Sequence, residues 1–375
     1  MSSLVISLHR VVRPHEGRVE KVSQRELEID QFGLPFGVLM THSLVRFSHT
    51  ILEADQKGLI DLGSVDLVHA HKLTFEGQVG SLIAQRLGRP LAVSLRSTDV
   101  TVLRYRRDLR AKARKILSDC SVIFYIAPWL QNEVRKLLGD EFYTAHMQRK
   151  MVFLPNSVFS PLGSSGQEQR QEGRVLTILR MDHIKAVRNK NVRRLLKALA
   201  MTERGDIRLD VVGDGPCRPI VEKWARRFGV AAKVTFLGLV PNQQLGVHYA
   251  RAQAFLLPSI SETFGLVFAE ALMHGTPILY ARSTGFDGMF KKVGVAVAAR
   301  SVRSIASGID ELITNNRAYR ENIERLRDSG AFEIFAPTYP AEVYKKTLGM
   351  LTRGADRARA AGIAAGSDPA WRHEP

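Results

Sequence analysis

The feature that most limits what this chain can fold into is a rhythm. Short apolar runs alternate with amphipathic stretches almost from end to end. Consecutive parallel strands need a crossover of a dozen or more residues, usually a helix, so the rhythm predicts βαβ units and an α/β fold. In the first half, strands are expected at Leu4–Ser7, Phe36–Met40, Leu67–His71, Leu91–Leu95, Ser121–Ile126 and Met151–Leu154, with helices around Gln78–Leu87 and Pro128–Leu138. The second half repeats the plan at Val175–Leu179, Arg208–Val212, Val234–Leu237, Ala254–Leu257, Ile278–Tyr280 and Val293–Val297, with a helix opening at Pro216. Between Asn156 and Gly173 the periodicity stops and Ser, Gly, Gln and Glu take over. Two α/β domains, each with a parallel sheet, are therefore expected at 1–160 and 174–335, joined by a linker at 161–173. A helix over Pro340–Leu351, within 336–353, is expected to return towards the first domain, and 354–375 to be a disordered tail.

At 375 residues the chain can bury two cores. Its balance of 54 Lys and Arg against 37 Asp and Glu leaves a net charge of +17, which implies anionic partners. Nucleic acid is the weakest of these, because the basic residues are not interleaved with aromatics as in a nucleic-acid reader. Cys120 and Cys217 stand far apart without metal-ligand spacing, so neither a disulfide framework nor a metal site is expected. No run of about 18 apolar residues occurs, and Met1 to Arg10 does not resemble a signal peptide. The expected location is cytoplasmic, with attachment to the inner face of the cell membrane as an extension. That extension rests on Val102–Leu117, which holds seven cations and one acid, Asp108, and is expected to form one helix.

The densest chemistry lies between Pro258 and Pro277. Gly265 to Met273 is almost wholly apolar, Gly275 stands where a helix cap belongs, and Pro277 prevents continuation. Such a helix is buried, yet it contains Glu270, and an unanswered buried carboxylate costs on the order of several kcal/mol. Its partner is either a buried arginine or the vicinal hydroxyls of a ribose. Seven residues intervene between Glu270 and Glu262, which sits in a polar run with Ser259, Ser261 and Thr263. Glu262 either enriches the helix start with negative charge or faces a sugar, with the backbone amides of Thr263, Phe264, Gly265 and Leu266 near its phosphates.

Ligands of open α/β sheets bind at the carboxyl ends of the strands. Arg180 follows one expected strand and Lys190 precedes the next helix, so both are placed to neutralise a diphosphate; the alternative is a solvated basic loop. Gly213 and Gly215 follow another strand, but Arg218 occupies the third position of G-x-G-x-x-G, so a dinucleotide-binding dehydrogenase is not indicated. In the first domain, His69 and His71 end one strand, and Arg96 with Asp99 ends the next.

Taken together these segments resemble the family 4 glycosyltransferases. The resemblance covers most of the chain and is strongest in Glu262–Glu270 with Gly275-Thr276-Pro277, then in Val212–Pro216, Val234–Gly238 and Leu154-Pro155-Asn156. It implies a GT-B fold, two Rossmann-like, doubly wound domains facing across a cleft, and a retaining transfer of a hexose-type sugar from a nucleoside diphosphate to a glycan or lipid-linked acceptor. Glu270 would then hold the ribose, Glu262 would face the donor sugar, and Arg180 with Lys190 would grip the diphosphate, with no metal or other cofactor. Two departures stand out. Arg96-Ser97 occupies the place of a common His-Gly, and the segment from His9 to Gly17 has one glycine where a glycine-rich loop is usual. Those departures and the charge leave a rival expectation, a catalytically silent GT-B protein that binds anionic ligands or membrane.

Overall fold

The computed structural model describes residues 4–11, 18–23, 26–32, 39–158 and 170–360. Its described residues form two compact units. One takes the chain up to Tyr125, then Val134–Val152 and the chain from Tyr344 onward; the other takes Ile126–Glu133 and Phe153–Val343.

In the first unit, β4 (Val68–Ala70), β5 (Leu91–Leu95), β6 (Val122–Tyr125) and β7 (Met151–Phe153) form one sheet in chain order. The β4–β5 and β5–β6 pairings are parallel. Every residue of β5 is buried, as expected of a central parallel strand covered on both faces. A separate sheet joins β1 (Val5–Val11) in parallel to β3 (Glu26–Phe32), with β2 (Arg18–Ser23) antiparallel on the other side of β3. The expected strand at Leu4–Ser7 thus continues through His9 and Arg10, while residues 12–17 of the glycine-poor segment lie outside the described residues. β2 and β3 were not expected. Their signal is the strict alternation of Glu26-Leu27-Glu28-Ile29-Asp30, period two with charges between, the mark of a strand with one wet face.

Two further expectations fail here. Of the strand expected at Phe36–Met40, residues 36–38 lie outside the described residues, and Leu39 and Met40 are not strand but open the helix Leu39–Gln56. Leu44, Phe47, Ile51 and Ala54 keep helical spacing and are buried, which is what decides the matter. The run Val102–Leu117 is two helices, Ser97–Tyr105 and Leu109–Asp119, broken at Arg106–Asp108. Arg106 donates to Asp108 at 2.6 and 2.8 Å, and Arg110 Nε donates to the Leu103 carbonyl at 3.0 Å. The break lets Leu109, Ala113, Ile116 and Leu117 turn inward together.

In the second unit, β8 (Gln171–Ile178), β9 (Arg208–Val212), β10 (Val234–Gly238), β11 (Ala252–Leu257), β12 (Ile278–Ala281) and β13 (Gly294–Val297) form a parallel sheet in the order β10-β9-β8-β11-β12-β13. The direction in which successive strands are added reverses between β8 and β11, while the strands stay parallel. That is the switch point of a doubly wound sheet, where the loops after two neighbouring strands part and leave a crevice. Of the expected linker, 161–169 lie outside the described residues, and Gln171–Gly173 already belong to β8. The helix expected to open at Pro216 starts at Arg218, with Pro219 in its first turn. The last helix runs Thr338–Ala360, so 354–360 of the expected tail are helical and 361–375 are not described.

Candidate active site

The loops leaving β8 and β11 meet at the switch point, and their backbones are tied together. Asn191, with φ 61° and 2% exposure, sends its side-chain amide to the Pro258 carbonyl at 2.9 Å and to the Ala299 carbonyl at 2.7 Å. The Ile260 N–H donates to the Asn189 carbonyl at 2.7 Å, and Asn189 Nδ2 donates to the Ser261 carbonyl at 2.8 Å. Glu262 N–H donates to Thr284 Oγ1 at 2.6 Å, and the Thr284 hydroxyl returns to the Glu262 carbonyl at 2.8 Å. Trp129 Nε1, from the chain's early excursion into this unit, donates to the Thr263 carbonyl at 3.1 Å.

With the backbone held, the side chains of Lys190 and Glu262 close on each other. Lys190 Nζ stands 2.5 Å from Glu262 Oε2, at exposures of 23% and 17%. A charge pair this sheltered keeps a strong field while staying open to a ligand. Gly265 follows at φ 84°, where a Cβ would lie 2.5 Å from the Phe268 ring and 3.2 Å from Glu262 Cγ, so only glycine fits. It caps the helix Leu266–Met273 without a side-chain acceptor. The backbone amides of Phe264, Gly265 and Leu266 have no acceptor among the described residues, an arrangement that suits an anion. The Phe264 ring itself packs inward on Phe286 and Phe335, so Phe264 offers its backbone alone.

Glu270 is answered by a phenol. Tyr249 donates its hydroxyl to Glu270 Oε2 at 2.8 Å; burial, with the carboxylate beside it, holds the Tyr249 pKa well above the usual value for a phenol. No arginine fills this role among the described residues. Tyr249 was not singled out from the sequence, where it is one aromatic on the inner side of the short helix Leu245–Arg251.

Arg180 stands apart from this pair. Its guanidinium is 81% exposed and turned to Asp182 Oδ2 at 2.7 Å. Gly213 and Gly215 support the backbone beside it: at φ 122° and 143°, a Cβ on either would lie 1.9 Å from the Leu179 carbonyl oxygen or 2.6 Å from that of Met181. The two glycines therefore let the β9 loop seat against the β8 loop.

In the first unit Asp99 is fully buried. Its Oδ1 accepts from the Thr74 N–H and hydroxyl, both at 2.8 Å, and its Oδ2 accepts from the Arg96 N–H at 2.9 Å. This is the reach-back of a helix N3 carboxylate, and it makes Asp99 a brace of the β5 turn. Burial raises the Asp99 pKa against the pull of those hydrogen bonds, and burial lowers that of Arg96. His69 bridges Ser94 Oγ, 2.9 Å from Nε2, and Tyr344 OH, 2.6 Å from Nδ1. Its ring lies 4.2 Å from that of His71, and burial with this neighbour lowers its pKa to about 3.

Among the described residues no group of three His, Cys, Asp or Glu is placed to hold a metal ion, and no helix is long and apolar enough to cross a membrane.

Two Rossmann-like parallel-sheet units, the second with a sheltered Lys–Glu pair and helix-start amides at its switch point, are the architecture of the GT-B fold. Residues 183–328 match the family glycosyl transferases group 1. It is 30% identical over 171 residues to an uncharacterized glycosyltransferase of Methanocaldococcus jannaschii, covering 44% of each chain, so the match spans less than half of that relative. It is 26% identical over 351 residues to the D-inositol 3-phosphate glycosyltransferase of Thermobispora bispora, covering 87% of this chain and 79% of the other. The sucrose-phosphate synthase of Thermosynechococcus elongatus has the same fold, with a TM-score of 0.62 at 20% identity, covering 94% of this chain and 89% of that one.

Proposed function

We propose that this chain is a glycosyltransferase that moves a hexose-type sugar from a nucleoside diphosphate to a glycan or lipid-linked acceptor, with retention at the anomeric carbon. The observation that carries the reading is the Lys190–Glu262 pair, 2.5 Å apart beside the free amides of 264–266. In this reading Glu262 faces the donor sugar while Lys190 and the amides take up charge on the departing diphosphate, where fixed donors act with little reorganisation. Arg180 leaves Asp182 to join them. Glu270, with one oxygen held by Tyr249, accepts from the ribose hydroxyls with the other. Asp99 positions Arg96 at the end of β5, and Arg96 stabilises negative charge without exchanging a proton near neutrality. In this reading no residue is assigned as a nucleophile, and substitution through an oxocarbenium-like state, with the acceptor arriving on the side the diphosphate leaves, accounts for retention. The charge is carried by these cations and amides, and no cofactor is assigned.

A panel of nucleoside diphosphate sugars, screened by thermal shift and by hydrolysis, tests the donor side; no stabilisation and no turnover with any of them would leave the silent anion-binding alternative. The anomeric proton coupling of the product tests retention, and an inverted linkage sinks that part. For a lipid-linked acceptor, the helix break at Arg106–Asp108 changes which cations matter. Arg106 and Arg110 are engaged within the protein, whereas Arg107 and Lys112 are exposed. Each cation near an anionic bilayer contributes roughly 1 kcal/mol. Vesicle binding in low salt should therefore fall on reversing Arg107 and Lys112 to Glu, and a soluble acceptor follows if anionic vesicles do not bind at all.

A further inference from the structure

The second unit holds a groove that the donor reading does not use. It has a volume of about 600 Å³ and opens among Arg188, Arg193, Arg194 and Arg300, with Trp224 and Ile260 in its wall; neither Lys190 nor Glu262 lines it. Its frame is rigid. The helix Val192–Leu199 packs on both Arg218–Arg227 and Val302–Thr314, and Asn191 ties Pro258 to Ala299, the residue before Arg300.

The arginines here are unlike others on the same unit. Arg204 pairs with Asp206, Arg218 with Asp214 and Glu222, and Arg317 with Glu321. The guanidinium groups of Arg188, Arg193 and Arg300 have no hydrogen bond or ion pair among the described residues, and Arg194 reaches only a neutral acceptor, Asn191 Oδ1, at 3.1 Å. Four cations around one concavity repel one another, and among the described residues no carboxylate pairs with them. A solvated basic face would be convex and without an aromatic wall; this one is concave and has Trp224, whose ring offers a surface for cation–π contact with the arginines or for stacking on a ligand. Arginine forks also match phosphate oxygens two at a time.

We propose that this groove is a second anion site, separate from the donor site, for a compound that carries two or more clustered phosphate groups. The phosphates lie among Arg188, Arg193, Arg194 and Arg300, and the apolar or ring part of the compound lies against Trp224 and Ile260. The same chemistry is offered by a soluble phosphate compound and by a phospholipid headgroup. The site does not depend on the donor reading, since none of its charged residues is assigned to the donor.

The probe is tripolyphosphate, titrated into the full-length protein at low salt by calorimetry and by tryptophan emission, in parallel with phosphatidylcholine vesicles carrying phosphatidic acid. Saturable tripolyphosphate binding is expected, weakened about tenfold or more in Arg193→Glu/Arg300→Glu, because two charge-assisted contacts are replaced by repulsion. Arg193→Gln/Arg300→Gln should weaken it in the same direction, which covers the case in which the double reversal fails to fold. Lys190→Ala should leave it in place, and Trp224→Phe should remove the emission change while calorimetric binding persists. Binding of tripolyphosphate alone identifies a soluble source, and binding of both probes with the same dependence on Arg193 and Arg300 identifies a headgroup. Absence of saturable binding to either probe, indifference to both double variants, or loss with Lys190→Ala alone overturns the proposal.

Discussion

The carboxyl edges of the two parallel sheets treat charge in opposite ways. At the end of β8 and β11, Lys190 and Glu262 are paired but reachable, and Glu270 spends one oxygen on Tyr249. At the end of β5, Asp99 is sealed in, with both oxygens taken by Thr74 and Arg96, and near the end of β4 His69 is held by Ser94 and Tyr344. A charged residue at a strand end is therefore not a functional group by position alone. What separates the two edges is whether hydrogen-bonding capacity remains after the fold has taken its share.

The sharpest break of this comparison is Lys190→Ala against Asp99→Ala. Removing Lys190 should lower donor hydrolysis by roughly 10²–10³-fold with little change in the thermal midpoint, as expected of a cation acting mainly in the transition state. Full rates in that variant would reduce the pair to a structural salt bridge. Removing Asp99 should act mainly on stability: a loss of about 3 kcal/mol in urea unfolding, because two N–H groups and one hydroxyl lose their acceptor, with a smaller loss of rate in the folded fraction, through Arg96, than Lys190→Ala gives. If stability is unchanged and rate collapses, Asp99 belongs with Lys190.

Smaller effects sharpen the same contrast. Glu270→Gln should weaken nucleoside diphosphate binding by about tenfold in calorimetry, since the amide brings a donor to a place that needs acceptors. Equal affinities would remove Glu270 from the site. The smallest effect concerns pH. Burial depresses the folded-state pKa of His69 from 6.5 to about 3, so its neutral form is the folded one and the unfolded chain takes up the proton first. Stability is then full above pH 6.5 and is lost as pH falls towards 3. Against His69→Gln, the wild type should show a steeper fall over that window, by up to about one proton in the slope. Parallel profiles would mean that His69 titrates normally.

Much of this was legible in the residues because local rules and tertiary structure agree. The second sheet came from runs such as Ile278–Tyr280, which bury both faces and so carry an unbroken apolar signal. Glu262 and Glu270 stood out as carboxylates beside and within an apolar helix. What the residues did not disclose were partners distant along the chain. Lys190 and Glu262 are 72 positions apart, Tyr249 reaches Glu270 across 21 positions, and His69 meets Tyr344 across 275 positions. Local pattern also misled where two signals compete. Phe36–Met40 has the composition of a strand, but Leu39 and Met40 are claimed by a helix whose buried face lies further on. Val102–Leu117 has helical composition throughout, and only the Arg106–Asp108 contact reveals the corner.

The tie between His69 and Tyr344 also bears on the order of events at the ribosome. A strand made early acquires this partner only when nearly all of the described chain has emerged, whereas every strand of the six-stranded sheet is available well before. Domains usually fold in the order of synthesis. Here the unit begun first is the one completed last, and nascent chains stalled before Tyr344 should hold a protease-resistant second unit beside a first unit that is still cleavable.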